Sequence, residues 1–424
     1  MVRLADSFKQ EKEGLIMFAE KLQCIACKSE QDLKMHNKCP VCGGILEVKY
    51  RFDKVLAEET LRNQEVCNLP GIWKFLAMLP LVSTKYIVSL GEGNTPVLGS
   101  KSLGPELGLR RLFFKLESLN PSGSFKDRGI SVAISKAKEL GVTHVVVAST
   151  GNASASTAAY AARAGMKCVV CVPENTSRAK VSQAMAHGAR IVLVRGDFSK
   201  SYEIALQASE KLGWANTSTT FLNPYNMEGN KTVAYELWQE FHGNVPDVIV
   251  IPVGAGPLLA GVAKGFEELR ELGMTSTVPR LVGVQAEECS PIFDAFDKGL
   301  EKVSQWERPF STLAAGVGDP LKGYSDDGTF TLDAIKRTHG TVVTLDEEEI
   351  RFSTEEMARL EGLFIEPTSS ISAGAIRKLK ESCFISEHDL VVSLLTGHGL
   401  KHFLPMNQKQ VVISDFKEFE LALL

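Results

Sequence analysis

Short apolar segments rich in Val and Ile alternate along the chain with longer segments of helical periodicity. In the short segments the hydrophobic residues are nearly continuous, which is typical of strands whose two sheet faces are both covered by helices. We predict strands at Leu112–Glu117, His144–Ala148, Cys168–Val172, Ile191–Val194, Val248–Val253, Leu281–Gln285 and Leu390–Leu395.

The segments between these strands have the spacing of amphipathic helices. In the first of them, Ile130, Ala133, Ile134 and Ala137 lie on one side of a helix. We predict a charged linker helix around Arg51–Gln64 and helices at Phe125–Leu140, Ala153–Ala164, Arg178–His187, Tyr202–Leu212 and Lys231–Phe241. Strands that alternate with helices in this way predict an α/β fold with mainly parallel sheets.

Composition narrows the class of protein. The 424 residues are 44% hydrophobic and 23% charged, which is typical of a soluble globular protein of about three domains. The net charge of −4 provides no positive field for nucleic acid or an anionic membrane, so we expect neither as a partner. The most apolar stretch, Val248–Ala263, is shorter than the roughly 18 residues of a membrane span. With no apolar signal segment at the amino terminus, we expect a cytoplasmic protein.

Four of the nine cysteines are clustered near the amino terminus. Cys24 and Cys27 form one C-x2-C pair, and Cys39 and Cys42 form a second. Two such pairs can place four thiolates at the corners of a tetrahedron, as a structural zinc ion requires, although four small buried residues are the alternative. We therefore predict a zinc-ribbon-like module. The remaining cysteines are interpreted as core residues: Cys67, Cys168, Cys171, Cys289 and Cys383.

The segments just after the predicted strands are where ligands bind in open parallel sheets. One of them, NPSGSFKDRG at 120–129, places Lys126 in the first turn of a helix, where the helix dipole disfavours the ammonium form. A destabilised ammonium is how a nucleophilic or Schiff-base amine is prepared. The alternative is a surface lysine paired with Asp127.

Three further junctions carry candidate binding groups. STGNASAS at 149–156 combines hydroxyls, a glycine and an amide at a helix start, which suits a carboxylate or is a plain helix cap. GAGPLL at 254–259 follows a strand and precedes a helix, an arrangement that holds a phosphate with backbone amides, although Pro257 lacks one. TGHG at 396–399 places the hydroxyl of Thr396 at the end of a strand.

Together with GEGNTP at 91–96, NPYNMEGNKT at 223–232, VGVQAE at 282–287 and TGHGLK at 396–401, these motifs resemble a known family. From about Gly91 to Lys401 the chain is similar to the threonine synthase branch of the pyridoxal-phosphate enzymes related to the tryptophan synthase β-subunit. The resemblance implies two doubly wound α/β lobes with the cofactor in the cleft, and a homodimer. We expect an N-terminal extension with the ribbon at 1–50, linker helices at 51–85, a large cofactor-binding domain at 86–117 and 223–424, and a small domain at 118–222.

The resemblance also implies roles for single residues. Lys126 is expected to be the Schiff-base lysine of pyridoxal 5'-phosphate and the residue that moves protons on the substrate. Asn152 is expected to bind the cofactor's phenolic oxygen, and Thr396 its pyridine nitrogen. The cofactor phosphate is assigned to Gly254, Ala255, Gly256 and Leu258, and the amino acid carboxylate to Ser149, Thr150, Gly151 and Ala153.

Some positions depart from the family pattern and leave the substrate open. Asn226 stands where threonine synthases have an arginine for the phosphate of O-phosphohomoserine, and Thr220 and Phe221 stand where a polar pair is usual. A neutral amide is a weaker ligand for a dianion than a guanidinium, although Arg178 or Lys180 could supply the charge. The alternatives are β-elimination or β-replacement on serine, threonine or O-phosphoserine, and a degenerate protein whose ribbon binds a partner.

The remaining loop residues are weaker candidates. Glu366 in EPTSS is interpreted as a helix-start carboxylate rather than an acid catalyst. Asp319 lies in a loop with a motif-like segment, and Glu287 is a candidate for the mouth of the pocket. His398 either faces the cofactor or is a tolerated loop substitution.

Overall fold

The structure is a computed structural model that describes residues 17–62, 69–218 and 220–402. Its strands, in chain order, are β1 (Ala19–Cys24), β2 (Glu30–Gln31), β3 (Leu46–Tyr50), β4 (Val97–Gly99), β5 (Leu112–Lys115), β6 (His144–Ala148), β7 (Lys167–Pro173), β8 (Arg190–Val194), β9 (Ala215–Asn216), β10 (Val248–Pro252), β11 (Arg280–Ala286), β12 (Thr341–Leu345) and β13 (Val391–Leu394). They form three separate sheets.

The α-helices are α1 (Lys54–Arg62), α2 (Leu103–Glu106), α3 (Lys126–Glu139), α4 (Asn152–Ala164), α5 (Arg178–Ala186), α6 (Phe198–Leu212), α7 (Pro224–Asn230), α8 (Thr232–Glu240), α9 (Pro257–Glu271), α10 (Pro291–Asp297), α11 (Ser325–Arg337), α12 (Glu347–Leu360) and α13 (Pro367–Glu381). Short 3-10 helices lie at Gly71–Met78, Thr84–Tyr86, Glu117–Leu119 and Gly399–Lys401. In the described residues no helix combines the length and apolar character that crossing a membrane would require.

Two of the sheets are mainly parallel. The larger has the strand order β12-β11-β10-β13-β5-β4, and only β4 runs antiparallel to its neighbour. The smaller has the order β8-β7-β6-β9 and is parallel throughout. Every residue of β10 and β13 is buried, because helices cover both faces of the larger sheet. The prediction of an α/β fold is confirmed.

The predicted strands and helices are all present, and their ends differ for identifiable reasons. The strand predicted to reach Glu117 stops at Lys115, since Glu117–Leu119 turns into a 3-10 helix. Helix α6 begins at Phe198 rather than Tyr202, because the side chain of Asp197 caps it by accepting from the amide of Lys200. The predicted linker helix around Arg51–Gln64 is α1, and the end of the prediction lies outside the described residues.

The N-terminal segment forms a small antiparallel sheet of order β2-β1-β3 that packs on the larger fold. Its apolar side chains contact the segment around α7: Ile25 and Ile45 pack with Phe221 and Met227. The phenol of Tyr225 donates a hydrogen bond to the carbonyl of Lys34 over 2.8 Å. The N-terminal sheet and its loops therefore pack directly against α7.

Buried ionic groups hold the centre of the molecule. Arg128 in α3 is fully buried and makes paired hydrogen bonds of 2.7 Å with both Glu117 and Glu236. Lys115 on β5 adds a 2.7 Å bond to Glu236. This network links β5, α3 and α8, and the low dielectric of the interior makes each member dependent on the others.

A second buried carboxylate is held by neutral donors. Glu92 accepts hydrogen bonds from the indole of Trp73 at 2.8 Å and the phenol of Tyr160 at 2.8 Å, and also from the hydroxyl of Ser131. These donors come from the 3-10 helix at Gly71–Met78, from α4 and from α3. These hydrogen bonds join the linker segment to α3 and α4.

The remaining cysteines were predicted to be core residues, and this is confirmed for Cys168, Cys171 and Cys289, which are buried. It is wrong for Cys383, which is exposed in the turn that follows α13. Cys67 lies outside the described residues.

Candidate active site

Two of the junctions identified in the sequence are joined to each other. The loop before α3 makes an isolated β-bridge between Ser124 and Gly397, and the amide of Phe125 donates to the carbonyl of Thr396 over 3.0 Å. Lys126 is the first residue of α3. The lysine therefore lies beside the carboxyl end of β13, which is one of the central strands of the larger sheet.

The amine of Lys126 is enclosed, and this changes its acidity. Desolvation by burial lowers the pKa of Lys126 to about 8, although the carboxyl groups of Asp319 and Glu366 oppose the shift. Asp127 does not pair with it: the Asp127 carboxylate accepts from the amide and hydroxyl of Ser122, both at 2.6 Å. Lys126 is thus placed as an enclosed, weakly basic amine and not as a surface ion pair.

The loop at 149–153 joins β6 to α4. The amide of Gly151 donates to the hydroxyl of Ser149 over 3.2 Å, and α4 begins at Asn152. In the described part of the chain, the backbone amides of Thr150, Asn152 and Ala153 have no hydrogen-bond acceptor. Free amides at a helix start attract an anion, which is the chemistry expected of a carboxylate site.

The loop at 254–258 is a backbone cradle at the start of α9. Gly256 has φ of +100°, and a Cβ at this position would overlap the hydroxyl of Thr331, which donates to the carbonyl of Ala255 over 2.6 Å. Among the described residues, nothing accepts from the amides of Gly254, Ala255, Gly256 and Leu258. Several free amides converging at one helix start suit a phosphate.

Thr396 follows β13 and is 2% exposed. Its hydroxyl is buried and has no hydrogen-bond partner within the described ranges. A buried polar atom of this kind costs free energy unless a ligand satisfies it. The hydroxyl is therefore available to a group that occupies the cleft.

Asn226 lies in α7 and lines a small cavity together with Lys126, Asn230 and Pro257. It is 4% exposed, and neither its carboxamide oxygen nor its nitrogen has a partner among the described residues. The structure therefore places Asn226 beside Lys126. Arg178 and Lys180 are both exposed at the start of α5 and do not line this cavity.

The pair Thr220 and Phe221, which replaces the family's polar pair, is buried beside α7. The ring of Phe221 packs edge-on against Phe330 with centroids 5.0 Å apart, and its amide donates to Asp327 over 2.9 Å. Both side chains are thus packed in the interior, and neither lines the cavity beside Lys126.

The sequence underestimated two carboxylates. Asp319 and Glu366 both lie close enough to Lys126 to influence its pKa, and burial raises the pKa of Glu366 to about 7. Glu366 precedes α13, as expected, but its side chain makes no capping bond to that helix. Instead its carboxylate accepts from the carboxamide of Asn152 over 2.8 Å. In the sequence, the available signal for Glu366 was a glutamate in a segment with few other charged residues.

The two weaker candidates, His398 and Glu287, differ in exposure. His398 is half-buried, and its ring nitrogen accepts from the amide of Leu400 over 3.1 Å. Glu287 is exposed at the end of β11. Neither makes a contact with Lys126.

The arrangement matches what pyridoxal phosphate needs from a protein. A lysine of lowered pKa, a cradle of free amides and an unsatisfied hydroxyl lie in neighbouring segments, and their chemistry suits the cofactor's aldehyde, phosphate and ring nitrogen. The residues present therefore fit this cofactor.

Comparison with known proteins leads to the same chemistry. The family described as pyridoxal-phosphate dependent enzyme matches residues 88–397. The threonine synthase of Methanocaldococcus jannaschii is 38% identical over 386 residues, covering 89% of this chain and 92% of that protein. The threonine synthase of Methanosarcina acetivorans is 36% identical and covers 90% of this chain and 92% of that protein.

Solved structures share the fold. A threonine deaminase from T.th. aligns with a TM-score of 0.60 and 27% identity over 73% of this chain and 94% of that chain. Maize serine racemase aligns with a TM-score of 0.62 and 20% identity over 78% of this chain and 91% of that chain. From the site and from these matches, the chain belongs to the family of pyridoxal-phosphate-dependent enzymes that includes the archaeal threonine synthases.

Proposed function

We propose that the protein is a threonine synthase, which converts O-phospho-L-homoserine and water into L-threonine and phosphate. The observation that carries the proposal is the position of Lys126, which lines one cavity with Pro257 of the amide cradle and follows Phe125, whose amide donates to the carbonyl of Thr396. Two threonine synthases are similar to the chain over about nine-tenths of its length.

Each group in the cleft has a distinct task in this proposal. Bound pyridoxal phosphate supplies an electron sink that acidifies the carbons next to the substrate's amino group. Lys126 holds the cofactor covalently and moves protons between the α and β carbons of the substrate. The amides of Gly254, Ala255, Gly256 and Leu258 bind the cofactor phosphate. Ser149, Thr150, Gly151 and Ala153 bind the substrate carboxylate.

Asn152 and Thr396 complete the cofactor site. Asn152 donates a hydrogen bond to the phenolic oxygen, and Thr396 contacts the ring nitrogen. A hydroxyl is neutral and does not stabilise a protonated ring nitrogen as an aspartate would. This environment favours elimination and replacement over transamination.

The role of Lys126 is tested by trapping. Borohydride reduction of the purified protein with pyridoxal phosphate is expected to attach the cofactor to the peptide that contains Lys126. The Lys126→Ala variant is expected to lose the label and turnover, whereas Lys138→Ala, a partly exposed lysine of the same helix, keeps both. Native turnover by Lys126→Ala would overturn the proposal, and a protein that binds no cofactor would favour the non-catalytic alternative.

A second candidate function is β-elimination or β-replacement on serine, threonine or O-phosphoserine. The neutral carboxamide of Asn226 favours it, because among the described residues Lys126 is the only cationic side chain that lines the cavity beside Asn226. Phosphate release from O-phosphohomoserine and O-phosphoserine, measured beside ammonia release from serine and threonine, distinguishes the two. Threonine and phosphate formed from O-phosphohomoserine support the first function. Phosphate release from O-phosphoserine only, or ammonia release from serine or threonine, supports the second.

We also propose that Cys24, Cys27, Cys39 and Cys42 bind a structural zinc ion. Their sulfur atoms all lie within 4.8 Å of one another, with Cys24 and Cys42 3.5 Å apart and Cys27 and Cys39 3.6 Å apart. Four thiolates at such separations suit a tetrahedral site. One zinc per chain by elemental analysis is expected, and Cys42→Ser is expected to lose it while Cys383→Ser, an exposed cysteine elsewhere, retains it.

The domain organisation is proposed from the sheets. Residues 86–117 and 223–424 are assigned to the large domain and 118–222 to the small one, in keeping with a larger sheet built from β4, β5 and β10–β13 and a smaller one built from β6–β9. The part of this assignment at 403–424 lies outside the described residues. Residues 51–85 are linkers, and 1–50 carry the ribbon. We propose a cytoplasmic homodimer, and sedimentation of the purified protein tests the dimer.

A further inference from the structure

Glu366 lies between the two segments that surround the cofactor site. Its carboxylate accepts from the Nδ2 atom of Asn152 over 2.8 Å, and its amide donates to the carbonyl of Gly397 over 3.1 Å. The side chain is 7% exposed. A Cβ on Gly397 would overlap the Glu366 carboxylate, so the glycine of TGHG makes room for it. The carboxylate is therefore built into the site rather than into the cap of α13.

The chemistry of a carboxylate restricts how Asn152 can turn. An ionised carboxylate only accepts hydrogen bonds, whereas a carboxamide has one donating and one accepting end. Asn152 must therefore present its NH2 group to Glu366. One of the two N–H bonds is used in this contact, and the second is left for another acceptor.

The phenolic oxygen of pyridoxal phosphate is an acceptor when it is ionised, so it requires that second N–H. If Asn152 turned over, its oxygen would face the phenolic oxygen and the two would repel. A partner that can only accept hydrogen bonds, such as the Glu366 carboxylate, excludes this reversed orientation of Asn152. Orientation by a second residue is how a binding group is preorganised for its ligand.

We propose that Glu366 is a positioning residue, whose carboxylate fixes the carboxamide of Asn152 with an N–H directed at the cofactor's phenolic oxygen. The inference rests on the proposed cofactor function and deepens it. Nothing in the role requires Glu366 to touch the substrate.

The ionisation of Glu366 gives the proposal a pH signature. The charged groups that act on it are Lys126 from α3 and Lys401 from the segment after β13, and both favour its ionised form. Burial is the larger effect and raises the pKa to about 7. Above that pH the carboxylate holds Asn152 fully, and below it the protonated group can also donate, so the orientation is lost progressively as the pH falls.

The Glu366→Gln variant tests the inference, because its NH2 group can donate to the oxygen of Asn152 and stabilise the reversed orientation. We expect about a tenfold loss of pyridoxal phosphate affinity at pH 8, and a changed pH dependence of the absorption band of the lysine-bound cofactor between pH 6 and 8. Glu356→Gln, a buried glutamate of α12 that pairs with Arg377, is the matched control and should leave both unchanged.

A double-mutant cycle with Asn152→Ala separates positioning from a general effect of charge. If Glu366 acts through Asn152, adding Glu366→Gln to Asn152→Ala costs no further affinity. Additive losses, or a Glu366→Gln protein with wild-type affinity and spectra, would overturn the inference. Glu366→Asp, which keeps the acceptor but shortens its reach, should give an intermediate affinity and serves if the glutamine variant does not fold. A wild-type protein that binds no cofactor would overturn the proposed function itself, which distinguishes the two failures.

Discussion

At the scale of single residues, the acidity of Lys126 has a measurable consequence. Because its pKa is lowered to about 8 from the usual 10.5, much of the amine is uncharged near pH 8. Only the uncharged amine attacks an aldehyde. We expect the rate of cofactor attachment to the apoprotein to rise with pH and level off with a midpoint near 8, as followed by rapid-mixing absorbance.

The same reasoning predicts a shift in one variant. The Asp319 carboxylate raises the pKa of Lys126, so Asp319→Asn should move the midpoint to lower pH. A rate that keeps rising towards pH 10 in the wild-type protein would contradict the enclosed position of the amine.

The sequence could identify Lys126 but not the groups that set its properties. A lysine in the first turn of a helix is visible in NPSGSFKDRG as a residue in an unfavourable dipole. Asp319 and Glu366 reach it from segments about 190 and 240 residues further along the chain, and sequence spacing carries no information about such distances. The motif NPYNMEGNKT singled out Asn226, whereas its position beside the lysine and its lack of a hydrogen-bond partner among the described residues required the structure.

At the scale of elements, the turn into α9 has a strict requirement for glycine. The backbone of Gly256 has a φ of +100°, and in Gly256→Ala the new methyl group would collide with the Thr331 hydroxyl. The amide cradle must therefore distort. We expect at least a tenfold loss of pyridoxal phosphate affinity, or about 1.4 kcal/mol, measured by titration of the apoprotein.

Gly273→Ala is the matched control for this change. Gly273 follows the same helix at a φ of +77°, but a Cβ there meets nothing within 4 Å. It carries the backbone cost of about 1 kcal/mol without the collision, so its cofactor affinity should stay at the wild-type value. Equal losses in the two variants would show that the cradle does not depend on Gly256.

The buried network around Arg128 joins elements that are distant in sequence. Arg128→Met would leave the carboxylates of Glu117 and Glu236 buried with one fewer cation. Breaking such a group typically costs about 3–5 kcal/mol, which urea denaturation monitored by circular dichroism would detect. Arg163→Met, an exposed arginine of α4, should change the free energy of unfolding by no more than about 0.5 kcal/mol.

Elements with a strong apolar pattern were predictable and weak ones were not. β10 and β13 are buried on both faces, so their sequences are continuous runs of apolar residues. The edge strands β4 and β12 were missed, since β4 has only three residues, and in β12 Thr341, Val343 and Thr344 are half-exposed. Tertiary pairing, not local pattern, determines these strands.

At the scale of the whole molecule, the N-terminal sheet with its cysteine cluster packs against α7, which lines the cavity beside Lys126. It contacts α7 through Lys34 and Tyr225, and Asn226 is the next residue of that helix. Removing the proposed zinc ion with a chelator should therefore raise KM for the substrate several-fold while leaving cofactor affinity nearly unchanged. Steady-state kinetics before and after chelation measure this, with zinc readdition as the control. Unchanged KM in demonstrably zinc-free protein would contradict it.

Charge is the property that sequence describes least well for this molecule. A net charge of −4 gives no hint that Arg128, Lys115 and Lys231 are fully buried with glutamates. From the net charge we expect no nucleic acid or membrane partner. Which charged side chains are buried depends instead on how the two larger sheets and the N-terminal sheet pack. Those internal pairs are the part of the fold that composition could not reveal.

The indole of Trp73 gives the molecule an optical reporter at the meeting point of the linker, α3 and α4. Its N–H donates a hydrogen bond to Glu92 and the ring is fully buried. Its fluorescence emission therefore depends on whether the linker, α3 and α4 stay packed together. The other tryptophans, Trp214, Trp238 and Trp306, can be replaced by phenylalanine to isolate the signal. A single fluorescent side chain then reports the attachment of the N-terminal sheet and its linker to the catalytic fold while the enzyme turns over.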